Sequence, residues 1–153
     1  MKKQTIKITS LDLKLIEFFK RTFVPVARFS IFSIFFWFGL IKLLGLSPAS
    51  PLAEALTART VGMQYFDLLF YGLALVECVI GILFIFPKFT RIVIPLLLFH
   101  MVLVCSPILL VPEMVWQQFA VPTLEGQYII KNAVVIAVAI GIAASAKPLT
   151  HRG

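Results

Sequence analysis

Residues 66–87 read FDLLFYGLALVECVIGILFIFP, and residues 89–112 continue FTRIVIPLLLFHMVLVCSPILLVP. A helix that crosses the hydrocarbon core of a bilayer needs about 20 apolar residues, and each of these runs is long enough. Neither alternates with period 2, as a membrane barrel strand would. Lipid cannot satisfy open backbone groups, so helix is the spanning structure that remains. Only Lys88 separates the two runs. The Pro87-Lys88 turn is too tight for anything but an antiparallel hairpin.

Working outward, residues 25–46 and 127–147 form two further apolar runs. The expected architecture is an all-α integral membrane four-helix bundle spanning at 25–46, 66–87, 89–112 and 127–147. Pro112 closes the third span and Gly126 precedes the fourth. Pro95 and Pro107 lie inside the third span; each removes a backbone donor and should bend it, leaving carbonyls for nearby groups to satisfy. Composition agrees, with 60% of the 153 residues hydrophobic and 14% charged. A soluble domain is nearer 45–50% apolar and about 25% charged. An ordinary cytosolic enzyme, a secreted disulfide scaffold and a disordered tail are excluded.

The formal charge is +7, and its distribution speaks for membrane topology rather than for nucleic acid. Lys2, Lys3, Lys7, Lys14, Lys20, Arg21 and Arg28 crowd the start, Lys88 and Arg91 the central turn, and Lys147 and Arg152 the tail: eleven of the fourteen basic residues. Loops 47–65 and 113–126 hold only Arg59. By the positive-inside rule both termini are expected in the cytoplasm, with those two loops outside. The first twenty residues lack the continuous apolar core and small-residue cleavage site of a signal peptide. Leu11, Leu15, Phe18, Phe19 and Phe23 follow helical spacing behind Ser10, which predicts an amphipathic helix lying on the cytoplasmic leaflet. Residues 148–153 form a short cytoplasmic tail.

Charged groups inside a span are costly and usually functional. Here they are Lys42, Glu77, His100 and Lys131, with Asn132 adjoining the last. Glu77 and His100 are expected near the midplane, and the two lysines one turn below the outer boundary. Two readings stand for the lysines. They snorkel to the outer headgroups, or they point inward and line a polar ligand pocket with Glu77, His100 and Asn132, walled by Trp37, Tyr71 and Tyr128. A midplane carboxylate has to be paired or protonated. His100 can supply the contact, either to handle protons or only to fasten two helices. Trp116, Tyr65 and Tyr128 suit the outer interfacial belt. Gly39, Gly72, Gly81, Gly141 and the Ala-rich run 137–146 suit close helix packing. His100 is the only histidine inside a span, which argues against intrinsic haem. Cys78 and Cys105 have no metal-ligand spacing and stand at depths too different for a simple disulfide.

Several pieces resemble the DoxX family of small bacterial four-helix membrane proteins. They are Arg28, then Phe35-Phe36-Trp37-Phe38-Gly39-Leu40-Ile41-Lys42; Glu77 with Gly81; His100 and Pro107; and the run Pro122-Thr123-Leu124-Glu125-Gly126-Gln127-Tyr128-Ile129-Ile130-Lys131-Asn132. The resemblance covers about residues 25–147, and Lys42, Glu77 and Lys131-Asn132 occupy positions that the family pattern marks. It implies the bacterial cytoplasmic membrane, a place beside membrane-associated oxidoreductase subunits, and a link to quinone as the ligand or cofactor of such a system. The expected function is therefore an accessory or ligand-binding component of a quinone-linked electron-transfer assembly. The alternatives are a noncatalytic assembly or scaffold protein and, less favoured, a small transporter, for which a homo-oligomer would supply the pore.

Overall fold

The computed structural model describes residues 10–146. Residues 1–9 of the amino-terminal segment, Lys147 and the tail 148–153 lie outside the described residues. The chain is a multi-pass membrane protein, with four helical segments long and apolar enough to cross a bilayer: Ser10–Leu43, Met63–Ile85, Pro87–Leu110 and Leu124–Ala144. The first is a single helix, α1 (Ser10–Leu43). At about 1.5 Å per residue it is roughly 51 Å long, well beyond one bilayer core. Pro25 lies inside it, so the boundary expected at 24/25 is not a break in the helix.

Helix α1 ends at Gly45, whose φ of 70° is the left-handed conformation glycine tolerates. The Leu46 amide donates to the Ile41 carbonyl at 2.9 Å and the Gly45 amide to Lys42 at 3.0 Å, the paired closure of a Schellman motif. Loop 47–65 contains a short helix that hydropathy did not foresee, α2 (Ser50–Thr60), with proline in its first turn. Then come α3 (Phe66–Ile85) and, after a 3-10 turn at Pro87–Phe89, α4 (Thr90–Cys105). Pro95 is accommodated within α4. At Pro107 the α4 helix gives way to α5 (Pro107–Leu110). The proline has no amide for the Leu103 carbonyl, and Ser106 supplies it instead, through its hydroxyl at 2.7 Å and its own amide at 3.2 Å.

The segment between α5 and the last helix folds into α6 (Pro112–Val115) and a two-stranded antiparallel hairpin, β1 (Trp116–Gln118) and β2 (Val121–Pro122). The last helix, α7 (Leu124–Ala144), starts three residues before the expected boundary. Thr123 is the reason. Its hydroxyl accepts the Gly126 amide at 3.0 Å and donates to the Met114 carbonyl at 2.7 Å. The Thr123 amide also donates to the Val115 carbonyl at 2.9 Å. Thr123→Ala removes this cap and is expected to cost about 1 kcal/mol. Its signature is faster amide exchange at Gly126 with a lower thermal midpoint; unchanged exchange there would contradict the cap.

The long helices close a ring in which α1 packs on α3, α3 on α4, α4 on α7 and α7 on α1. Rising numbers on α1 meet falling numbers on α3: Arg28 meets Phe84, Phe36 meets Gly81 and Gly39 meets Ala74. The two are therefore antiparallel. Ile31, Phe35, Ile80, Phe84, Leu97 and Ile142 are among the residues of the central core. Phe29, Leu68, Val102 and Val134 are exposed on its outside, a surface suited to lipid contact.

Candidate polar site inside the bundle

The sequence places Glu77 on the inner stripe of α3 with Phe70, Ala74, Ile80, Gly81 and Phe84, all buried. Glu77 is only 5% exposed. From α1, the Lys42 ammonium donates to both carboxylate oxygens, Oε1 and Oε2, at 2.5 Å each. From α4, His100, 2% exposed, brings Nε2 to 3.4 Å from Glu77 Oε1. The imidazole meets the Phe35 ring edge-on, with centroids 5.5 Å apart. Its other nitrogen, Nδ1, is buried without a hydrogen-bond partner among the described residues. Three helices thus converge on one carboxylate.

Two glycines bring the backbones this close. A Cβ on Gly81 would stand 2.8 Å from the Phe36 nitrogen, and one on Gly39 would stand 2.7 Å from the Ala74 carbonyl oxygen. Gly39 precedes Lys42 by one helical turn and Gly81 follows Glu77 by one. The ion pair therefore sits beside the close approach of α1 and α3. Burying two charges costs several kcal/mol each unless geometry and hydrogen bonds offset it. The bidentate contact satisfies the carboxylate and two of the ammonium's three donors.

Lys42, Glu77 and His100 come together, but the other expected site residues do not join them. Lys131 is exposed, with its ammonium 5.1 Å above the Tyr128 ring. Tyr128 is itself exposed, as are Trp37 at 62% and Tyr71 at 42%, so they do not wall a pocket around the cluster. Asn132 is half-buried beside Lys131. Chain direction explains the contrast between the lysines. A helical Cα–Cβ bond tilts toward the helix N-terminus. Lys42 is in the last turn of α1, on its buried stripe, and leans back along the bundle; Lys131 is near the start of α7, on an exposed face, and leans toward that end of the bundle. Lys42 thus points into the bundle at Glu77, whereas Lys131 lies over Tyr128.

Arg28 falls by position among the topology-setting charges, yet it is buried at 9% exposure. Its Nη1 donates to the Phe84 carbonyl at 3.0 Å and its Nη2 to Thr90 Oγ1 at 2.5 Å. The signal was available in the spacing. Arg28, Ile31, Phe35 and Gly39 lie on one buried stripe of α1, and Lys42 continues it.

Among the described residues no group of three or more His, Cys, Asp or Glu side chains could hold a metal ion. Cys78 and Cys105 are free thiols. No family model matches the chain, and no curated protein or solved structure is significantly similar to it.

Proposed function

We propose that this chain is a noncatalytic accessory or assembly protein of the DoxX kind. In this reading the Lys42–Glu77–His100 cluster fastens α1, α3 and α4 into one rigid unit that offers its outer surface to partner subunits. The observation that carries it is the double-oxygen clasp of Lys42 on buried Glu77, which fully engages the carboxylate within the protein. The crowding of basic residues at the start, the central turn and the tail supports both termini inside; the bacterial cytoplasmic membrane rests on the resemblance to the DoxX family.

Cross-linking in native membranes followed by affinity purification tests this reading. A reproducible protein partner should be recovered, and Glu77→Gln should lower both its yield and the thermal midpoint. Recovery of the chain alone, with the Glu77→Gln yield unchanged, would sink it.

A second reading is favoured by the unpartnered Nδ1 of His100. It makes the cluster a binding point for a quinone or other lipophile of a linked electron-transfer system, with the imidazole donating a hydrogen bond to a quinone carbonyl oxygen or accepting one from a quinol hydroxyl. Solvent extraction of the purified protein separates the two. A quinone present at near-equal molar amount, and lost in His100→Leu, supports the second reading.

A further inference from the structure

A cavity of about 350 Å³ opens at the end of the bundle away from the outer loops, between α1, the α3–α4 turn and the last turn of α7. That is near the lower end of the range for small-ligand pockets, about 300–1,000 Å³. Arg28, Lys88, Thr90, Arg91 and Ser145 contribute its polar lining, and no carboxylate lines it among the described residues. Arg28 is the decisive group. The residue is nine-tenths buried, and both of its hydrogen-bond acceptors are neutral, a carbonyl and a hydroxyl. Nε has no hydrogen-bond partner among the described residues. Among the described residues no carboxylate lies within ion-pair distance of Arg28. A buried charge lacking a counter-charge is strongly unfavourable, so an anion is what this wall lacks.

The surroundings favour an oxyanion. Thr90 passes the Arg28 hydrogen bond on to the Pro87 carbonyl at 2.6 Å, which holds the guanidinium plane in place. Lys88 stands exposed at the rim, its ammonium 4.8 Å above the Phe89 ring. Thr90 opens the 16-residue helix α4, whose first turn has no side-chain cap, and the positive end of that helix dipole adds to the field. Arginine donors in a fixed fork match the paired oxygens of a phosphate.

We infer that this cavity is a phosphate-binding site, held by Arg28 and Lys88 with the Ser145 hydroxyl at its edge. The phosphate belongs either to the headgroup of an acidic phospholipid or to a soluble phosphoryl compound. The site is separate from the Lys42–Glu77–His100 cluster, and its success or failure leaves the proposed function untouched.

The test uses the full chain in mild detergent. Its thermal midpoint is titrated with short-chain phosphatidylglycerol, with phosphatidylcholine and with inorganic phosphate, against chloride at equal ionic strength. A rise with phosphatidylglycerol alone assigns a lipid headgroup; a rise with inorganic phosphate over chloride assigns a soluble phosphoryl ligand. Lys88→Gln should weaken binding about fivefold, as expected for removing one basic residue near an anionic headgroup. Arg28→Gln should abolish it, while Arg28→Lys restores part. Because Lys88 is exposed, its variant keeps the test open should Arg28→Gln fail to fold. No midpoint change with either anion, or equal affinity in Lys88→Gln and the native chain, would overturn the site.

Discussion

Lys42→Met is expected to destabilise the bundle by about 3–5 kcal/mol, the usual cost of breaking a buried ion pair from one side. Glu77→Leu should cost less, and the double replacement should recover most of the loss. The asymmetry follows from depth. Glu77 lies in the middle of α3, and without Lys42 its carboxylate is stranded beside His100 with no route to water. Lys42 lies in the last turn of α1, and without Glu77 its long stem can swing toward the helix end. In the double variant neither charge remains, and two apolar side chains of similar volume fill the space. Unfolding in mixed detergent, run as a double-mutant cycle, measures all three values. If Glu77→Leu proves the costlier single change, or if the two losses simply add, the cluster is not the buried clasp described above.

Gly81→Val is expected to cost about 1–3 kcal/mol or more through overpacking. The added Cβ would fall 2.8 Å from the Phe36 nitrogen and 3.2 Å from the Phe32 carbonyl oxygen. Both are backbone atoms and cannot rotate away, so α1 and α3 must separate. That separation also pulls Lys42 from Glu77, one turn along the same interface. Gly72→Ala is the matched control. Nothing lies within 4 Å of a Cβ there, and alanine favours a helix over glycine by about 1 kcal/mol. The thermal midpoint should fall for Gly81→Val and hold or rise for Gly72→Ala; equal effects would remove the argument for close approach. Hydropathy treats these two glycines alike, and only their neighbours distinguish them.

Much of the architecture was legible because membrane helices announce themselves in long apolar runs. The spans at 66–87 and 89–112 correspond closely to α3 and to α4 with α5, and the Pro87-Lys88 turn joins them. The outer loops were less legible. Helix α2 and the β1–β2 hairpin rest on short-range hydrogen bonds that carry no hydropathy signal. The run from Pro122 to Asn132, singled out by resemblance, acquires a physical account. Thr123 caps α7, and a Cβ at Gly126 would stand 2.2 Å from the Val115 carbonyl oxygen, so this stretch docks the outer loop onto the helix start.

By itself the sequence determined that the chain enters a membrane, how many helices can span it, and which few polar residues lie among apolar neighbours. Those properties depend on local composition, which lipid reads one segment at a time. Tertiary structure alone decided which polar residues meet. Lys42 and Lys131 stand one turn from the same end of the bundle, and depth alone does not separate them. Lys42 continues the buried stripe of α1 and its Cβ tilts back along the bundle toward Glu77, whereas Lys131 stands on an exposed face of α7 and tilts toward Tyr128. Arg28 follows the same logic: its charge is plain in the sequence, but its burial against Phe84 and Thr90 exists only once α1, α3 and α4 have packed.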